Sequence, residues 1–187
     1  MERFHFKCPA EFRQWLEENH ARSESIWLRL FKKTSGEPSI THAEALDQAL
    51  CYGWIDGQLK PLDERSWLRK FTPRQPKSGW SKLNTRHVER LITAGAMTRA
   101  GLEAVAAAKA DGRWAAAYDS PRDAVPPADF LKALAGDKKA AAFFATLNKA
   151  NVYAIVYRLQ TAKKPETRQK RLQAILKMLS QAKAFHA

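Results

Sequence analysis

Hydrophobic and polar positions alternate along this chain with two periods, and the switches between them outline its elements. After Pro9, the residues Phe12, Trp15 and Leu16 recur at helical spacing, so AEFRQWLEENH predicts a helix whose first turn accommodates the proline. SIWLRLFKK changes to the β-branched and aromatic pattern of a strand and is closed by the turn residues TSGEP. Thr41, three residues before Glu44, has the spacing of a capping box and opens a helix through AEALDQALCYG that stops at Gly53. WIDGQLKPLDERSWLRKFTPR predicts two strands joined by a turn from Pro61 to Glu64, and Ser81 caps a helix over KLNTRHVERLITAG that Gly95 ends. Beyond residue 97 the period is helical throughout. TRAGLEAVAAAKADG is followed by a loop holding Pro121, Pro126 and Pro127, then by three alanine- and leucine-rich segments ending with PETRQKRLQAILKMLSQAK.

The pattern implies an α+β fold, with a small antiparallel sheet of about three strands and helices in the N-terminal half, and a helical C-terminal half. Residues 1–97 form the α+β subdomain and 98–187 a helical subdomain packed on it, with the loop 119–127 as the natural boundary. WLRLF at 27–31 returns as WLRKF at 67–71, which gives two strands one alternation. Side chains on a strand point to opposite faces with a period of two. Trp27, Arg29 and Phe31 therefore share a face opposite Ile26, Leu28 and Leu30, and Trp67, Arg69 and Phe71 oppose Leu68. Between them in sequence, Trp54, Asp56 and Gln58 oppose Ile55 and Leu59. If the aliphatic residues of all three strands share one face, the other presents three tryptophans, two arginines and one aspartate.

Composition and charge sharpen this picture. With 187 residues, 45% of them hydrophobic, the chain can bury a sizeable core. No apolar run reaches the length of a membrane span, and the start, MERFHFKCPAEFRQWLEENH, carries acids where a signal peptide has its apolar stretch. A cytoplasmic protein without membrane insertion is the expectation. Cys8 and Cys51 lack any CxxC or Cys/His spacing and the histidines form no i, i+4 pair, so two reduced thiols, no metal and no cofactor are expected. The net charge of +13 is concentrated: residues 65–90 hold 8 Lys/Arg against 1 acid, and residues 148–187 hold 9 against 1. Such blocks point to an anionic partner, either a small ligand such as a nucleotide or phosphorylated metabolite, or nucleic acid.

Candidate site residues follow from the sheet face and the loop after it. Arg69, between Trp67 and Phe71, can be held by ring faces while its donors reach a carboxylate or phosphate. Asp56 and Trp54 share that face, and the alternative is that Asp56 neutralises Arg29 or Arg69 in a structural pair. In FTPRQPKSGW, Arg74, Ser78 and Trp80 lead to the helix start at Ser81, where free amide donors make an anion seat. Asn84 projects with the apolar side of that helix, and Arg168 falls on the apolar stripe of the last one, where it requires an acid or a ligand. The leading expectation is a protein that binds a small anion. Nucleic-acid binding is the alternative. A hydrolase or transferase with Asp56 as general base comes third, since no Ser-His-Asp order, glycine-rich loop or metal set supports it.

The strings ALCYGWIDG, FTPRQPKSGWSKLN, GAMTRAGLEAV, AKADGRW and AKKPETRQKRL together resemble the YdeI/OmpD-associated (bacteriocin-protection) family of bacterial proteins, over residues 8 to about 180. The resemblance implies a role in stress or in protection against bacteriocins or cationic peptides, with no agreed catalytic residues. It marks Trp54, Asp56, Pro73, Arg74, Ser78, Trp80, Ser81, Asn84, Thr167 and Arg168. A protein of charge +13 is nonetheless a poor sponge for cationic peptides.

Overall fold

The computed structural model describes residues 3–186. Strand β1 (Arg3–Phe4) and helix α1 (Pro9–Asn19) are followed by strand β2 (Ile26–Phe31), helix α2 (His42–Cys51) and strands β3 (Trp54–Pro61) and β4 (Ser66–Pro73). Helices α3 (Lys82–Thr93), α4 (Arg99–Ala110), α5 (Ala128–Ala135), α6 (Lys138–Phe144), α7 (Lys149–Gln160) and α8 (Pro165–Ser180) complete the chain. The fold is α+β. It divides into two compact units, one running to Trp80 and taking in Asn84–Ala115, the other comprising Ser81–Leu83 and the residues from Ala116 on. Among the described residues no helix is long and apolar enough to cross a membrane.

Local chemistry sets the element ends. The Thr41 hydroxyl accepts the Glu44 amide while the Glu44 carboxylate accepts the Thr41 amide at 2.8 Å, the reciprocal capping box the spacing predicted. Gly53, with φ at +73°, supplies the left-handed residue that turns the chain from α2 into β3. Beyond residue 127 there are four helices rather than three. Gly136 ends α5, and the Asp137 carboxylate accepts the amides of Lys139 and Ala140 at 3.0 Å, so an alanine-rich stretch is cut in two.

The sheet has four strands in the order β1-β2-β4-β3 and is mixed, not the three-stranded antiparallel sheet expected. The additional strand, β1, runs parallel to β2, and its two residues are too few for any alternation to show. The pairing of β2 with β4 also corrects the expected faces. Ile26 lies opposite Phe71, Leu28 opposite Arg69 and Leu30 opposite Trp67. Directly opposed residues share a face, so Trp67, Arg69 and Phe71 join the aliphatic side chains of β2. Trp27, Arg29 and Phe31 lie on the other side with Ser66 and Leu68. The β3–β4 pairing adds Asp56 beside Phe71 and Trp54 beside Pro73 to the first face, and a bulge between Asp56 and Leu59 keeps Leu59 opposite Arg69.

Phe71 decides this phase. It is fully buried with Ile26, Leu28 and Leu30, and the rings of α1 close over it: Phe12 packs edge-on to Phe71 at 5.6 Å and Trp15 edge-on to Trp54 at 5.8 Å. On the opposite face Trp27 is buried under the Lys60 ammonium, 4.6 Å above its ring, and Arg29 donates to Ser66 and pairs with Asp63 at 2.7 Å. The surface expected to gather three tryptophans, two arginines and Asp56 is thus divided between the two faces of the sheet.

In the second unit Phe130 and Leu134 of α5, Ile155 and Leu159 of α7, and Leu172, Ile175 and Leu179 of α8 form one core cluster. Asn151, 4% exposed, is its polar anchor. Its Oδ1 accepts the amides of Phe185 at 3.0 Å and His186 at 2.9 Å, which ties the segment after α8 back onto α7.

Candidate anion-binding site

Two of the predicted residues, Asp56 and Arg69, meet on the helix-covered face of the sheet, and His42 joins them. Asp56 Oδ2 accepts from Arg69 through Nε at 3.0 Å and also through Nη2, and His42 Nε2 on α2 lies 2.9 Å from the same oxygen. Burial alone pushes the Asp56 carboxyl up, but the hydrogen bonds from His42 and Arg69 outweigh it and hold it below the usual carboxylate value. Trp54 is core, with its indole nitrogen donating to the His20 carbonyl at 3.1 Å. Beside the pair, His42, Leu59, Trp67 and Arg69 line a shallow cleft of about 200 Å³. Arg69 and Asp56 neutralise one another there, so the corner offers an anion little net charge.

The loop after β4 is a packed corner. The Arg74 guanidinium carbon lies 3.5 Å from the centroid of the Trp80 ring, and its Nη1 donates to the Gly79 carbonyl at 3.3 Å. Trp80 is 2% exposed and packs on Trp114 at 5.0 Å, while the Ser78 carbonyl accepts from Arg113 at 3.0 Å. Trp80 is therefore interior and not a stacking platform. Asn84 on α3 is half-buried. At the start of that helix, the Lys82 amide donates to the Tyr118 carbonyl at 2.8 Å, and Ser81 bridges to Tyr118, so part of the expected anion seat is filled by the chain itself. Arg168, in the second unit, meets an acid: both of its terminal nitrogens bond to Asp129, whose carboxyl this pairing holds below its ordinary value. Asp47 on α2 is likewise occupied, by His87 at 3.0 Å and Arg90 at 2.6 Å.

The arrangement best suited to an anion lies elsewhere, between α7 and α8. Tyr157, Arg158, Thr161 and Arg171 line a cleft of about 530 Å³. Arg171 Nη1 donates to the Arg158 carbonyl at 2.7 Å and to the Thr161 hydroxyl at 3.4 Å, and Arg158 Nη1 donates to the Ala154 carbonyl at 3.0 Å. Each guanidinium is thereby fixed by one nitrogen on the backbone, while its Nε and Nη2 make no hydrogen bond and meet no carboxylate among the described residues. Two permanently charged forks lining one cleft, with no carboxylate on either among the described residues, offer the kind of donors that a phosphate or carboxylate takes.

Neither Arg158 nor Arg171 stands out in the sequence. The signal that could have found them is the charge count of residues 148–187, where Glu166 is the one acid among nine cations, so most of these cations cannot pair within the block. Helical spacing adds that Arg171 follows Arg168 by three residues and precedes Ile175 by four, on the edge of the buried stripe of α8.

Two families match the chain. One, described as a domain of unknown function (DUF8412), matches residues 4–104; the other, described as bacteriocin-protection, YdeI or OmpD-associated, matches residues 123–182. The resemblance drawn from the sequence is thus shown for the C-terminal segment, whereas ALCYGWIDG and FTPRQPKSGWSKLN lie under the first match. No curated protein and no solved structure matches the chain.

Proposed function

We propose, for a chain that belongs to the DUF8412 family and carries a bacteriocin-protection, YdeI or OmpD-associated segment, that the protein binds a small phosphate- or carboxylate-bearing ligand between α7 and α8. The observation that carries this reading is the Arg158 and Arg171 pair, pinned to backbone carbonyls and lining a cleft with no acid among its described lining residues. A nucleotide or phosphorylated metabolite fits the donors, with the Tyr157 ring, 38% exposed, beside them. Any part in bacteriocin protection then runs through the anion, because the +13 charge repels cationic peptides. Asp56 is a weak candidate for general base, since a carboxyl held below its ordinary value takes up a proton poorly at neutral pH.

Calorimetric titration with inorganic pyrophosphate and with adenosine monophosphate tests the reading. Arg171→Ala is expected to weaken binding about tenfold, the loss of one charged hydrogen-bonding partner, whereas Lys177→Ala, on the exposed side of α8, leaves it unchanged. Equal affinities in the two variants would overturn the assignment. Salt dependence separates a small anion from a polynucleotide: on a logarithmic plot a single-stranded nucleic acid loses affinity with a slope of about 0.7 per phosphate contacted. A steep slope with an oligonucleotide and no binding of pyrophosphate would favour the nucleic-acid reading.

A further inference from the structure

The two arginines have a second side. Arg158 and Arg171 also line an apolar recess of about 230 Å³ with Ala174, Ile175, Met178 and Phe185. The Arg158 guanidinium carbon lies 3.7 Å from the centroid of the Phe185 ring, so the cations stand at the boundary between the polar cleft and this recess. Phe185 is held in place by the buried Asn151, which accepts the amides of both Phe185 and His186. A ligand consisting only of a charged group leaves the recess wet. One that pairs an anionic head with a short hydrocarbon tail satisfies the guanidinium donors and removes apolar surface from water at the same time.

We infer that the ligand of this site is a soluble, single-chain anionic amphiphile, of the alkyl phosphate or fatty carboxylate class. The head lies against Arg158 and Arg171 and the tail against Ile175, Met178 and Phe185. The inference rests on the anion-binding reading above and adds the tail. The recess is small and bounded by two helices, which suits a single dispersed chain better than the surface of a bilayer.

A chain-length series tests it: inorganic phosphate, then butyl, hexyl and octyl phosphate, each titrated below its micelle concentration. Affinity is expected to rise about threefold to fourfold per methylene until the recess is filled, and then to level off. Phe185→Ala flattens the series, because it removes a ring that lines the recess, and Arg171→Ala lowers every member by a similar factor. If the alkyl phosphates bind no better than inorganic phosphate, the tail is wrong and the anion site stands. If neither phosphate nor any alkyl phosphate binds, both readings fall. Binding to phosphatidylglycerol vesicles without binding to dispersed octyl phosphate would overturn the inference in favour of a membrane surface.

Discussion

Replacing Gly101 by alanine is expected to destabilise the first unit by about 3 kcal/mol, at the upper end of what overpacking a core costs. The direction is opposite to that of an ordinary helical glycine, where alanine adds about 0.5–1 kcal/mol of stability. Gly101 lies in the first turn of α4, and a Cβ there would penetrate the carbonyl oxygen of Cys51, the last residue of α2, and come within 2.8 Å of its carbonyl carbon. That carbonyl cannot swing away, because it accepts the Thr98 amide at 3.1 Å and the Thr98 hydroxyl at 2.7 Å. From the other side, a Cβ on Gly53 would stand 3.1 Å from the Ala100 carbonyl oxygen. The crossing of α2 and α4 is thus closed by glycine from both directions. All six tryptophans belong to the first unit, so urea unfolding followed by tryptophan fluorescence reads this loss directly. A wild-type midpoint for Gly101→Ala would show that the helices separate at no cost.

The same crossing shows what was legible in the sequence. ALCYGWIDG and GAMTRAGLEAV are two of the strings that carry the family resemblance, and Gly53 in the first and Thr98 and Gly101 in the second serve the approach of two helices. Elements and caps were readable because their causes are local: Thr41 and Glu44 are three residues apart, and Gly53 follows the helix it ends. The phase between strands was not, since alternation fixes which residues of one strand share a face but says nothing of which neighbour they oppose. Alternation sets Phe71, Trp67 and Arg69 against the aliphatic residues, yet Phe71 belongs to their core and the pairing with β2 carries Trp67 and Arg69 to that face with it. Of the nine residues singled out, Asp56 and Arg69 do meet, as the structural pair that was the alternative to a ligand site. Arg158 and Arg171 are not legible in the sequence because their significance lies in which groups face them in the fold, and among the described residues no carboxylate does. Which cations lack an acid is a property of tertiary packing, and sequence indicates only that acids are scarce nearby.

Asp56→Ala is expected to cost the first unit about 2–3 kcal/mol at neutral pH, because it leaves the Arg69 guanidinium half-buried with its main acceptor removed. The cost should depend on pH in a defined direction. The unfolded chain takes up this proton in the ordinary carboxylate range near pH 4, whereas in the folded chain Arg69 and His42 hold the group below it. Between those two values the unfolded state binds more protons, so the stabilisation is complete above the unfolded value and is lost as pH falls toward the folded one. Urea midpoints of wild type and Asp56→Ala should therefore converge as pH falls below 4. Arg69→Met, which removes the cation but keeps most of the hydrocarbon, should cost less on an Asp56→Ala background than on the wild type, because the pair is then already broken. A gap between wild type and Asp56→Ala that persists undiminished at pH 3 would mean that Asp56 stabilises by packing alone. The sheet end would then be held by Phe71, Trp54 and the rings of α1 without help from the ion pair.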